Sequence, residues 1–296
     1  MARYVITGPT TLEGEIAIGG SKNAVLKILA GCLLATKPVT LRNVPEIRDV
    51  AVMRQIVEHF GLRFDGEAGT VTVDPANVNT ADVPDELAKQ LRASIVVLGP
   101  ALGRFGHVTI AHPGGDLIGK RPLETHFKGL EALGATVTQR QGHYEVTAQE
   151  LRGAELFLEE ASVTATENVM MAAVLAKGTT VIHNAASELH TADLAKFLNA
   201  LGARITGAGT NVVTIEGVDA LGGGEHTVRP DEIEAATIVI AAALTGGTVK
   251  ITKVDPNRFG MILIKLREAG VHFEANAESI TVQGPHELVG TDIHTN

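Results

Sequence analysis

Glu131-Ala132-Leu133-Gly134-Ala135 reads as the last turn of an amphipathic helix closed by a glycine. Three other stretches read the same way: Glu58-His59-Phe60-Gly61-Leu62, Asn199-Ala200-Leu201-Gly202-Ala203 and Glu268-Ala269-Gly270-Val271. Their glycines, at 61, 134, 202 and 270, are spaced by 73, 68 and 68 residues. After each comes a short β-branched run, a Gly or Asn turn and a second run, as in Arg204-Ile205-Thr206 followed by Val212-Val213-Thr214-Ile215.

A second set of marks runs half a period out of phase, where an Ala-rich apolar stretch gives way to a strand. Pro38, Gly106, Gly178 and Gly247 each precede such a strand, at steps of 68, 72 and 69. Both series define one unit of about 70 residues, helix, strand, helix, strand, strand, used four times. The first helix of each unit (24–35, 95–102, 169–176 and 238–244) is apolar all round, so it must be buried on every side. The second helices, such as 49–60 and 122–133, mix charged and apolar residues and belong outside, against the sheet. The pattern predicts a mixed α/β (α+β) fold with buried helices at the centre of a pseudo-symmetric body and sheets around them. Residues 3–18 read as two short strands about Gly8-Pro9. Three units make one closed body over 22–229, Gly222-Gly223-Gly224 reads as a hinge, and the fourth unit has no sisters to cover it.

The composition narrows the function. A net charge of −9 with no basic tail or stripe argues against nucleic-acid and acidic-membrane binding, so an anionic ligand needs a local cationic pocket. The single cysteine, Cys32, lies in an apolar run and reads as a buried structural thiol. No window approaches a membrane span and the N-terminus lacks a signal-peptide pattern, which makes the cytosol the default compartment. The eleven histidines show no metal-ligand spacing, and no metal or cofactor is assigned.

Candidate chemistry falls at the borders of the apolar helices. In His112-Pro113-Gly114-Gly115-Asp116-Leu117-Ile118-Gly119-Lys120-Arg121-Pro122, two glycines free the backbone and a carboxylate stands beside two cations, which suits proton transfer on a small anion. A solvated loop with incidental charges is the other reading. Ser21 can cap a helix that begins Lys22-Asn23, placing a cation and an amide at its positive end; the same residues equally describe a plain capped helix with Lys22 in solvent. Arg92 stands where a polar turn becomes apolar, a costly place for a guanidinium without an anionic partner. The hydroxyl run from Ser162-Val163-Thr164 to Thr166 can satisfy helix N–H groups or bind a diphosphate. His126, one turn into the helix after Arg121, can face the same loop, but a surface histidine is the better reading.

Gly20-Ser21-Lys22-Asn23-Ala24, Arg92-Ala93-Ser94, Pro113-Gly114-Gly115 with Ile118-Gly119-Lys120-Arg121-Pro122, Ser162-Val163-Thr164-Ala165-Thr166 and Glu216-Gly217-Val218 with Leu221-Gly222-Gly223-Gly224 occur in one order and spacing. Together they resemble the UDP-N-acetylglucosamine 1-carboxyvinyltransferase family of enolpyruvyl transferases, across essentially the whole chain. The resemblance implies an inside-out α/β barrel of six βαβαββ units in two domains, with four units here: 22–229 complete, and 1–21 with 230–296 as an incomplete second domain. It implies phosphoenolpyruvate and UDP-N-acetylglucosamine as substrates and no cofactor. Lys22 and Asn23 would bind phosphoenolpyruvate, Arg92 and Arg121 the substrates' anionic groups, and Pro122, Ser162 and Val163 the UDP-sugar. Asp116 would act as the loop acid where the family usually has cysteine. Pro230-Asp231-Glu232-Ile233-Glu234 departs from the family's Pro-Asp-Arg-Ile-Glu. By the same resemblance a C-terminal segment is missing, and the chain alone is expected to be inactive. The rival readings are a non-catalytic UDP-sugar binding module or an incomplete gene product, and the shikimate-pathway sister enzyme, whose Ser-Lys-Ser start is absent.

Overall fold

The computed structural model describes residues 3–5, 7–67, 69–115, 119, 122–284 and 287–294. The chain divides into two compact units, Ser21–Arg229 and Met1–Gly20 with Pro230–Asn296.

Within the larger unit the repeat is clearest at Glu155–Phe157, Val163–Ala173, Thr179–His183, Leu189–Ala200, Arg204–Thr206 and Val212–Glu216. Thr179–His183 pairs in parallel with Glu155–Phe157 on one side and antiparallel with Val212–Glu216 on the other, and Arg204–Thr206 lies at the edge. The unit is therefore βαβαββ, one strand longer than the periodicity shows. The extra leading strand escapes a linear reading because it changes form from unit to unit. Before the second sheet (His107–Ala111, His143–Thr147, Thr136–Arg140) it shrinks to a single parallel bridge, Asp82 to Thr109. In the first sheet it comes from the far end of the body: Gly224–Thr227 runs parallel to Val39–Val44, with Gly224 opposite Val39 and His226 opposite Leu41.

That pairing corrects the hinge at Gly222-Gly223-Gly224. Leu221 bridges to Ala35, and a Cβ added to Gly223 would lie 2.3 Å from the Pro38 carbonyl oxygen. These glycines serve close backbone approach. The smaller unit repeats the device. Gly14–Ala17 pairs in parallel with Gly247–Thr252, which pairs with Ser279–Gly284, and Phe273–Asn276 closes the edge. Of the two strands expected about Gly8-Pro9, only Gly14–Ala17 forms; the described residues before it make none.

Three apolar helices fill the larger unit. Lys22–Gly31 is buried at every residue from Ala24 onward, Val163–Ala173 likewise from Ala165, and the third, Leu98–Phe105, is entered through a 3-10 turn, Arg92–Val97. They cover one another closely enough to fix side-chain size. A Cβ on Gly99 would stand 2.1 Å from the Asn168 carbonyl oxygen. The corresponding helix of the smaller unit, Glu232–Thr245, is not buried on all sides as its apolar sequence suggests, but exposes apolar surface as a unit without sisters should. Ala235, Val239, Ala242 and Ala243 are buried, whereas Ile233, Ile240 and Leu244 are exposed, because a single sheet covers only one face.

The Gly99 contact gives a direct test of this packing. Gly99→Ala must push two buried helices apart, and overpacking of this kind costs about 1–3 kcal/mol or more. The urea midpoint should fall accordingly. A variant as stable as the parent would show that the helices do not approach this closely.

Candidate functional site

A cavity of about 670 Å³ opens in the Ser21–Arg229 unit at the start of these helices. The first central helix supplies Lys22 and Asn23 at its N-terminus, where Ser21 Oγ accepts the Ala24 N–H at 3.4 Å. Arg48 and Asp49 come from the first turn of Arg48–His59, whose N-cap residue, Ile47, offers no side-chain acceptor. Lys89 and Arg92 come from the segment entering the 3-10 turn, and Thr164 from the first turn of Val163–Ala173. Helix N-termini carry partial positive charge and unpaired N–H groups, so the arrangement is built for anions. Lys22 Nζ lies 3.6 Å from Asp49 Oδ2, an exposed pair worth little and easily exchanged for a ligand oxygen.

The structure thus brings together Lys22, Asn23 and Arg92 of the sequence-derived set. Ser162 and Val163 directly precede Thr164 at the cavity wall, and the hydroxyl run divides its work. Ser162 Oγ accepts the Ala165 N–H as the helix cap and keeps its own proton, whereas Thr166 Oγ1 donates its proton to the Ser162 carbonyl at 2.8 Å. Pro122 is exposed, and Asp116 and Arg121 lie outside the described residues. Gly115, which precedes Asp116, lines the cavity. Its neighbourhood also revises why glycines stand there. A Cβ on Gly114 would sit 1.6 Å from the Lys89 carbonyl oxygen and one on Gly115 3.0 Å from the Arg92 nitrogen, and the Gly114 N–H donates to the Ala88 carbonyl at 3.0 Å. These two glycines fasten the start of the loop to the segment that carries Arg92.

Sequence reasoning missed Arg48, Lys89 and Lys27. The first two sit on polar helical turns and look like ordinary surface cations. Lys27 falls inside an apolar helix, and its partner is remote in sequence: its Nζ is 3.4 Å from Glu167 Oε2, with both side chains almost wholly buried. Burial pushes the Glu167 carboxyl up, while Lys27 and His190 pull it down.

His126 is the clearest correction. It is 3% exposed, not a surface residue, because Glu124–Ala132 turns it inward onto Val163–Ala173. Its Nε2 is 3.1 Å from Thr164 Oγ1 and its Nδ1 is 2.9 Å from Asn168 Nδ2. Burial, reinforced by the Arg92 charge, depresses its pKa to about 3. The Cys32 thiol is fully buried and burial raises its pKa far out of the physiological range, as a structural thiol requires. Among the described residues no group of three or more His, Cys, Asp or Glu side chains could hold a metal ion, and no helix is long and apolar enough to cross a membrane.

The family described as EPSP synthase (3-phosphoshikimate 1-carboxyvinyltransferase) matches residues 6–296. The chain is 46% identical over 299 residues to UDP-N-acetylglucosamine 1-carboxyvinyltransferase 1 of Symbiobacterium thermophilum, an alignment spanning 99% of this chain and 68% of that protein. Its fold is similar to that of the enolpyruvyl transferase NikO from Streptomyces tendae, with a TM-score of 0.85 at 22% identity over 95% of this chain and 68% of that one. It is similar also to EPSP synthase from Acinetobacter baumannii, with a TM-score of 0.74 at 20% identity over 97% and 68%.

The buried histidine has a measurable consequence. Its folded-state pKa lies below the ordinary value of 6.5, so as pH falls from about 6.5 to about 3 the unfolded chain takes up a proton that the folded chain refuses. This one group therefore lowers stability with falling pH, by up to about 1.4 kcal/mol per pH unit inside that window. Glu167, whose carboxyl is raised, acts in the opposite sense, so the comparison must be made against a variant. Urea melts at pH 7, 5.5 and 4.5 should show a shallower acid loss for His126→Gln than for the parent. Parallel losses would place His126 in contact with solvent.

Proposed function

This chain belongs to the EPSP synthase family of carboxyvinyltransferases, and we propose that it acts as the member that joins phosphoenolpyruvate to the 3-hydroxyl of UDP-N-acetylglucosamine, the committed step of peptidoglycan synthesis. The cavity carries this reading: among the described residues lining it, Lys22, Lys27, Arg48, Lys89 and Arg92 are cations and Asp49 is the one carboxylate, in a protein of net charge −9. Lys27 is paired to the buried Glu167 and Lys89 to Asp85. Such a site selects ligands with phosphate and carboxylate groups. The 46% identity favours the UDP-sugar over shikimate phosphate as acceptor, as do residues 21–23, which read Ser-Lys-Asn.

The reaction is an addition followed by an elimination. Protonation of the phosphoenolpyruvate methylene carbon and attack by the sugar 3-hydroxyl, with loss of its proton, form a tetrahedral phosphate-bearing intermediate. Departure of phosphate with a proton from the new methyl group then restores the double bond in the enol ether. Lys22 and Asn23 would hold phosphoenolpyruvate, Arg92 and Arg121 would balance anionic charge, and Ser162, Val163 and Pro122 would seat the UDP-sugar. Asp116 would be the proton donor, with no cofactor involved. A carboxylate in place of the family's usual loop cysteine also accounts for an expected resistance to fosfomycin, whose epoxide is opened by a thiolate.

Calorimetric titration of the chain with UDP-N-acetylglucosamine tests the reading, followed by phosphoenolpyruvate with phosphate release recorded; with this chain alone expected to be inactive, binding should occur without release. The UDP-sugar should bind and shikimate 3-phosphate should not. Arg92→Met should weaken that binding roughly 10- to 100-fold, as expected for losing one hydrogen bond to a charged partner. Asp116→Asn should leave it unchanged. Fosfomycin should add its mass to Asp116→Cys and leave the parent unmodified. Failure of the parent to bind the UDP-sugar would sink the proposal.

A further inference from the structure

The hydrogen bonds behind the cavity have a fixed direction, and it can be followed atom by atom from the core to the cavity wall. Asn168 starts it. Its Oδ1 lies 2.8 Å from the Gly99 backbone nitrogen, which can only donate, so that atom must be the oxygen. Its Nδ2 lies 2.8 Å from the Ile95 carbonyl oxygen, which can only accept, and the second proton on Nδ2 points to His126 Nδ1 at 2.9 Å. Two backbone groups thus decide the amide orientation without appeal to the imidazole.

The rest follows in order. His126 Nδ1 receives a proton and so carries none. Burial beside the Arg92 charge keeps the ring neutral, and its one proton sits on Nε2. Nε2–H therefore donates to Thr164 Oγ1 at 3.1 Å. Thr164 accepts there, and its own hydroxyl proton is left to donate elsewhere. Thr164 lines the cavity, among cations that draw in ligand oxygens.

We infer that Thr164 donates its hydroxyl proton to an oxygen of the bound UDP-sugar, and that His126 and Asn168 are positioning residues that fix this polarity; the assignment rests on the ligand proposed above. Thr166 cannot substitute for Thr164, since its hydroxyl proton is spent on the Ser162 carbonyl, and the cavity lining includes Thr164 but not Ser162. Without His126 the hydroxyl could turn and offer its lone pairs to the cavity, where an anionic oxygen would meet an acceptor.

Titration of the parent and five variants with UDP-N-acetylglucosamine tests this, with melting curves confirming that each is folded. Thr164→Val keeps the shape and removes the donor, and should weaken binding roughly tenfold or more, while Thr164→Ser should stay within about threefold of the parent. His126→Phe should weaken binding comparably. His126→Gln, whose amide can still donate to Oγ1, should recover part of the loss. The decisive arm is the double variant Thr164→Val with His126→Phe. If His126 acts through Thr164, the second substitution should add little to the first. Full additivity would overturn the positioning role of His126, and unchanged binding by Thr164→Val would overturn the role of Thr164. Absence of binding by the parent would overturn the ligand assignment and this inference with it.

Discussion

One buried amide sets the terms for the larger unit. Asn168 stands in the middle of an apolar helix with no solvent exposure, where an unpaired amide would be strongly destabilising. It is satisfied by a backbone N–H at Gly99, a backbone carbonyl at Ile95 and the ring of His126, so it ties Val163–Ala173 to three other elements at once, Leu98–Phe105, the 3-10 turn Arg92–Val97 and Glu124–Ala132. The bond at Gly99 demands that the two backbones meet. Only a residue without Cβ permits this, and the missing methyl at Gly99 and the polar side chain at Asn168 are two halves of one requirement. Apolar packing alone would let these helices slide on one another; the amide fixes their register.

The same register decides what the cavity can do. Thr164 is four residues before Asn168, one turn along the same helix, so holding Asn168 against Leu98–Phe105 also places Thr164 at the wall. His126 bridges the two. A network that looks structural at one end ends in a hydroxyl facing the ligand space at the other, and for that reason its polarity bears on binding as well as on stability.

Much of this was legible in the residues. The repeat could be read because glycine closures and β-branched strand starts recur whatever the side chains between them, and the apolar helices could be read because nothing polar interrupts them. Lys22, Asn23 and Arg92 were legible for the same reason: each sits where an apolar helix begins, and a charge there is conspicuous. What stayed hidden depended on contacts distant in sequence. Lys27 gives no sign of Glu167, 140 residues away. Arg48 and Lys89 occupy turns where cations are ordinary. His126 lies on an amphipathic helix whose polar positions are mostly exposed, and only the Asn168 amide explains its inward turn. Gly222-Gly223-Gly224 was misread because glycine marks both flexible backbone and crowded backbone, and sequence alone does not separate the two.

The leading strands show the cost of this distance most plainly. A parallel strand must be brought in from elsewhere along the chain, and in the first sheet it arrives from residues 224–227, after every other element of the body. Thr36 Oγ1 donating to the Leu221 carbonyl at 2.6 Å and Asn43 Nδ2 donating to the Val228 carbonyl at 2.9 Å each close a separation of 185 residues. Closure entropy rises only slowly with loop length, but it must be met before such contacts contribute. Without Gly224–Thr227, Val39–Val44 would be an edge strand, paired only with Gly69–Asp74. Two residues beyond Thr227, the Arg229 carbonyl accepts the backbone N–H of Ser21 at 2.7 Å, so the segment that supplies the last strand of the body also ties down the N-terminus of the helix that carries Lys22 and Asn23.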